Sequence, residues 1–147
     1  MEQGGSKVSD YTKTLSFGTI EGKDAGKGVE AYLGIPYAKP PVGKLRWKPP
    51  VKLDPSDRKI DCTELGYSAM QKVDPVMAAS QRQQSEDCLT LNVWRRSEAT
   101  GPLPVMVYLH GGAYLEGGSS DPLYDGTNFA SEHDVVFVTI NYRVNLF

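Results

Sequence analysis

Hydrophobic and polar positions along this chain fall into two kinds of pattern. Between Thr14 and Gly22, Leu15, Phe17 and Ile20 are set among small or polar residues, as in a half-buried strand with a bulge at Gly18. Gly22–Gly28 reads as a turn region, and Val29–Ile35 returns as an apolar segment, so the two predict an antiparallel hairpin. Ser85–Trp94 alternates again through Leu89, Leu91 and Val93 and predicts another strand. Two further segments are almost continuously apolar: Val105–Leu109, bounded by Pro104 and by glycines, and Val135–Ile140. Such runs predict central strands covered on both faces. About 25 residues separate them, which excludes a tight hairpin and favours a right-handed crossover between parallel neighbours. Asn128–Glu132 supplies a short helix for that crossover.

The segments between these elements are less regular. Pro36–Pro50 is proline-rich, yet Tyr37, Val42, Leu45 and Trp47 give it more apolar bulk than a disordered linker carries, so it reads as a fixed, extended surface segment. Pro75–Gln84 is compatible with a short helix that has Pro75 in its first turn. Two central strands need helices on both faces, and few helical residues are on offer. The expectation is therefore a polar leader over residues 1–13, followed over 14–147 by the N-terminal portion of one larger α/β domain. The central strands are expected to be nearly fully buried once that domain is assembled.

Composition adds limits. The 147 residues are 39% hydrophobic and 23% charged, which describes a soluble globular protein, and the net charge of −2 gives no reason to expect nucleic acid or an anionic membrane as partner. No apolar run approaches the roughly 20 residues that span a bilayer. The N-terminal stretch lacks the apolar core of a signal peptide, so the expected compartment is the cytoplasm. Cys62 and Cys88 show no metal-ligand spacing and are expected to be reduced thiols.

The candidate chemistry lies where the Val105–Leu109 run ends, in His110-Gly-Gly-Ala113. Small residues after a strand end leave successive backbone N–H groups uncovered. Such a cluster can hold an anion, including the oxyanion that develops during acyl transfer. Gly22–Gly28 is not a phosphate-binding loop: it has three residues instead of four between its first two glycines, and Gly28 where Ser or Thr must bind Mg²⁺. No G-x-S-x-G nucleophile elbow is present; Gly66–Met70 and Gly117–Asp121 both fail at the last position.

Five stretches, in order, resemble the type-B carboxylesterase and cholinesterase family of the α/β-hydrolase fold. They are Gly34–Gly43, Ser85–Val93 (Ser-Glu-Asp-Cys-Leu-Thr-Leu-Asn-Val), His110–Ala113, Tyr124–Thr127 and Asn141–Arg143. The resemblance implies the N-terminal part of a mostly parallel central sheet preceded by an antiparallel N-terminal hairpin. It implies a serine esterase that hydrolyses carboxylic esters through an acyl-enzyme, with neither metal nor organic cofactor. By the same resemblance the N–H groups of Gly112 and Ala113 are oxyanion donors, Gly111 shapes the turn, and Tyr114 and Leu115 help form the pocket wall. Ala113 stands where many relatives have a third glycine, which a backbone donor tolerates. The serine, the acid and the catalytic histidine would lie beyond Phe147, so the remaining C-terminal portion of the hydrolase is the implied partner and the chain alone would be inactive.

The resemblance also assigns structural residues. His110 packs and hydrogen-bonds near the loop, Glu86 pairs with Arg46, and Arg143 belongs to a structural ion pair. Cys88 sits at a family disulfide position whose usual partner falls near Ala69 or Met70, so Cys62 is offset from it. A local triad of Ser119 or Ser120, His110 and Asp121 or Asp125 has the right residue types without the strained elbow, and His133 reads as a solvated turn residue. Two other functions compete: a catalytically inactive esterase-like binding or adhesion module, and a complete small domain. The oxyanion-type loop favours the enzyme.

Overall fold

The computed structural model of the chain describes residues 11–72, 75 and 83–146. Two sheets organise them. The smaller has β2 (Gly18–Glu21) at its centre, antiparallel to β1 (Thr12–Leu15) and parallel to β5 (Lys59–Asp61). The larger has the order β3-β4-β6-β8-β7, with β3 at Lys23–Gly26, β4 at Val29–Pro36, β6 at Thr90–Arg96, β7 at Val105–Leu109 and β8 at Val136–Ile140.

The two continuous apolar runs are adjacent and parallel, with Val105 opposite Val136 and Leu109 opposite Ile140. Their crossover contains a 3-10 turn at Pro122–Tyr124 and the short helix α1 (Thr127–Glu132). At the start of α1, the Asp125 carboxylate accepts the Thr127 N–H at 2.8 Å. On its inner face Ala130 is buried with Trp94 and Phe137, joining the helix to the sheet. The other described pairings of this sheet are antiparallel, so the sheet is mixed. Among the described residues, no helix is long and apolar enough to cross a membrane.

Several local expectations change. The alternating Leu15–Ile20 segment is not one strand, because a turn at Ser16 and Phe17 folds β1 back on β2. The first half of the Gly22–Gly28 turn region is itself strand β3, and the tight turn is confined to Lys27 and Gly28. Its side chains carry no hydrophobic signal; backbone pairing to β4 makes it a strand. Ser85–Leu89 lies outside β6, which starts at Thr90 and runs on to Arg96. The helix expected over Pro75–Gln84 falls almost entirely outside the described residues.

The burial of β7 also differs from the pattern in its sequence. β8 is flanked by β6 and β7, whereas β7 is outermost, with Val105, Val107 and Leu109 61%, 55% and 64% exposed. Helix α1 packs on β4, β6 and β8, and no described element lies beyond β7. An apolar edge strand left open in this way is an unfavourable surface in water.

Candidate active site

The turn after β7 is made by three consecutive residues with positive φ: Gly112 at 119°, Ala113 at 53° and Tyr114 at 60°. Gly112 admits no side chain, since a Cβ there would lie 2.0 Å from the Glu116 carbonyl oxygen. Ala113 and Tyr114 hold left-handed backbone at a cost of about 1–2 kcal/mol each. The Gly112 carbonyl accepts the N–H groups of Leu115 and Glu116 at 2.9 and 3.1 Å, which closes the turn. Among the described residues, no acceptor pairs with the N–H groups of Gly112 and Ala113.

Beside the turn lies an open hollow of about 480 Å³ with largely apolar walls. Gly111, Ala113 and Tyr114 line it together with Leu109 and Ile140 at the strand ends and with His110 and Tyr142. Within this chain, Leu115 is exposed but does not line the hollow. Gly111 has no positive φ and open space where a Cβ would project, so the turn depends on Gly112 instead.

His110 is buried, with its ring stacked on Tyr142 at 4.2 Å and 5° between planes. Its Nδ1 lies 2.8 Å from the Gly111 carbonyl oxygen. A carbonyl only accepts, so the neutral ring carries its hydrogen on Nδ1. Burial pushes the imidazole below its ordinary value, against a smaller opposing effect of that hydrogen bond, and favours the neutral ring. The Tyr142 hydroxyl donates to the His110 carbonyl. Further along, Gly117 takes a φ of 105°, and a Cβ there would meet the Gly111 carbonyl and His110 Nδ1, each at 2.5 Å.

Past the turn, a buried polar network pins the chain to the sheet. Asn92 on β6 receives the Gly34 N–H at 2.9 Å and donates to Thr139 Oγ1 at 2.9 Å and to the Ser119 carbonyl at 3.3 Å. Asn141 accepts the Ser119 N–H at 3.2 Å and donates to the carbonyls of Tyr67 and Cys88 at 2.7 and 3.0 Å. Ser119 is thus held inside, and Ser120 bonds Ser68 at 3.1 Å. No bond among the described residues joins either serine to His110, Asp121 or Asp125, so no local triad is assembled.

Arg46 and Glu86 meet through two hydrogen bonds, at 2.5 and 2.6 Å. Arg143 makes no ion pair among the described residues. It donates to the Lys48 carbonyl at 2.9 Å, while Glu86, which lines the same crevice, is already engaged at both oxygens by Arg46. Cys62 and Cys88 are free and buried in separate apolar clusters. Burial pushes both thiols up to about 11. No group of three or more described His, Cys, Asp or Glu residues is arranged to hold a metal ion.

A family model described as the carboxylesterase family matches residues 9–147. The chain is 40% identical over 136 residues to para-nitrobenzyl esterase of Bacillus subtilis (strain 168), covering 91% of this chain and 28% of that protein. It is 41% identical over 128 residues to acetylcholinesterase of Electrophorus electricus, covering 81% of this chain and 20% of that one. Among solved structures, a thermophilic pNB esterase matches with a TM-score of 0.85 at 40% identity, over 92% of this chain and 28% of its own. A Geobacillus stearothermophilus carboxylesterase matches with a TM-score of 0.81 at 42% identity, over 93% and 27%. The fold is that of the α/β-hydrolases, and the chain belongs to the carboxylesterase family. It spans 28% of the length of the Bacillus relative and 20% of the Electrophorus one.

Proposed function

We propose that this chain is the oxyanion-hole portion of a serine carboxylesterase. The observation that carries the reading is the pair of N–H groups at Gly112 and Ala113 that no acceptor among the described residues engages, on a strained turn beside an apolar hollow. An ester with its carbonyl oxygen at these donors and an apolar part in the hollow is the substrate class. When a serine Oγ attacks the carbonyl carbon, its proton passes to a histidine and negative charge collects on the oxygen facing the turn. Collapse of that intermediate expels the alcohol with the proton and leaves an acyl-serine, which water then hydrolyses. Each backbone donor in such a site contributes about 3–4 kcal/mol of transition-state stabilisation. The serine, the histidine, its acid and a third donor come from residues outside this chain, and that remaining portion covers β7.

The reading is tested on the full-length protein with p-nitrophenyl acetate and a fluorophosphonate label. Turnover, with the label on a serine outside residues 1–147, is expected. A label on Ser119 or Ser120 would overturn the division of labour, and a folded protein with neither label nor turnover would favour the inactive binding module.

A further inference from the structure

A turn with three successive positive φ values persists only where its surroundings over-determine it. Here the grips lie outside the turn and at both of its ends. At the start, Tyr142 stacks on the His110 ring and donates its hydroxyl to the His110 carbonyl. Beyond the turn, the buried Gln71 closes on Gly117 from a separate part of the chain, 46 residues earlier. The Gly117 N–H donates to Gln71 Oε1 at 2.7 Å, and Gln71 Nε2 donates to the Gly117 carbonyl at 2.8 Å and to the Ala69 carbonyl at 2.9 Å. Gln71 is itself steadied where its backbone N–H donates to Gln84 Oε1 at 3.0 Å. A carboxamide suits this place because it offers an acceptor and donors together; a glutamate would set a second acceptor against a carbonyl oxygen.

We propose that Gln71 and Tyr142 are positioning residues that fix the two ends of the turn, so that the Gly112 and Ala113 N–H groups are aimed before substrate arrives. The inference rests on the assignment of those N–H groups to the oxyanion. Preorganised donors act only where the oxyanion forms, and a misplacement of about 1 Å can cost about 100-fold in rate. Loosening either end should therefore depress the chemical step and leave ground-state binding alone.

The experiment uses the full-length protein carrying Tyr142→Phe, which keeps the stack and loses one donor, or Gln71→Met, which keeps the length and loses both polar atoms. Active sites are counted with a fluorophosphonate. Rates on p-nitrophenyl acetate are compared with inhibition by an aryl trifluoromethyl ketone, whose adduct presents an oxyanion, and by the matching methyl ketone. Expected in each variant are a kcat per active site about tenfold lower or more, a KM within about twofold, and weakened trifluoromethyl ketone binding with methyl ketone binding unchanged. The double variant should lose less than the product of the two. A purely structural role would lower the thermal midpoint and the number of active sites without changing kcat per site. Retention of kcat per site within about twofold in Tyr142→Phe overturns the proposal, whether or not Gln71→Met folds. Wild-type protein that turns over ester but binds both ketones equally would remove the oxyanion assignment itself, and this proposal with it.

Discussion

Arg46 meets Glu86 in a two-point ion pair, Nε to Oε2 at 2.5 Å and Nη2 to Oε1 at 2.6 Å. The contact fastens the proline-rich Pro36–Pro50 segment to the irregular stretch that leads into β6. Hydrogen bonding to the guanidinium, with its charge adding to the effect, lowers the Glu86 carboxyl from its ordinary 4.5. A carboxylate lowered in the folded state stabilises fully above its unfolded value, and that stabilisation is lost as pH falls through the folded value. Glu86→Gln should therefore melt below the wild type at pH 7. The gap should close as the pH drops from 4.5 through the lowered value, and should shrink with added salt. Thermal melts of both proteins from pH 3 to 7 check this; a gap unchanged by acid would mean the charge is not what holds the contact.

Much of the frame was legible in the sequence, for identifiable reasons. The parallel pairing of β7 and β8 follows from two apolar runs and a connection too long for a hairpin. The turn after β7 was legible from its run of small residues, although the backbone demand falls on Gly112 and not on Gly111. What escaped depends on backbone or distant contact. Strand β3 is polar and becomes a strand only by pairing with β4. The Ser16–Phe17 turn hides inside an apparent alternation. Gln71 carries no motif, and its partner Gly117 stands 46 residues away. The apolar run of β7 marks a segment that can be buried in the assembled domain and says nothing of what covers it, so its exposure here was not legible from the pattern.

Gly112 and Ala113 should respond oppositely to substitution. Gly112→Ala places a Cβ 2.0 Å from the Glu116 carbonyl oxygen at a φ of 119°, so the turn must be rebuilt. Misaimed donors should lower kcat for p-nitrophenyl acetate by about 100-fold or more in the full-length protein. Ala113→Gly relieves the left-handed strain while keeping its N–H, so kcat should stay within about twofold and stability within about 1 kcal/mol or better. Steady-state rates and thermal melts decide the matter. An active Gly112→Ala would show that the turn geometry is not required.

The buried thiols should be silent in the native protein. With both pushed up to about 11 by burial, the thiolate at pH 8 is on the order of one in a thousand, and a disulfide reagent should react with Cys62 and Cys88 only after denaturation. Ala69 packs in the same buried cluster as Cys88, whereas Cys62 belongs to another. Ala69→Cys should accordingly close a bridge to Cys88 under oxidising conditions and stabilise by about 2–4 kcal/mol. Thiol counts in denaturant, taken with and without reductant, report whether one pair has formed; three free thiols after oxidation would rule the bridge out.

The open edge at β7 has a consequence for residues 1–147 taken alone. Val105, Met106, Val107 and Leu109 are between 44% and 64% exposed, and Leu115 and Tyr114 at the turn are 63% and 78% exposed. Each of these partly exposed side chains forgoes a share of the about 1.5–3 kcal/mol that full burial contributes, and an apolar edge invites pairing with another chain. The strained turn at Ala113 and Tyr114 adds a cost that only packing around it can offset. The isolated polypeptide should therefore associate, bind a hydrophobic dye, and show no hydrolysis of p-nitrophenyl acetate. On the proposed function, adding the remainder of the hydrolase as a separate polypeptide should suppress dye binding and restore turnover together, because a single docking event would both cover β7 and bring a serine to the donors. Size-exclusion chromatography, dye fluorescence and rate measured on the same samples test this. A dye-silent, monomeric chain with esterase turnover would contradict both the open edge and the assignment of the nucleophile to other residues.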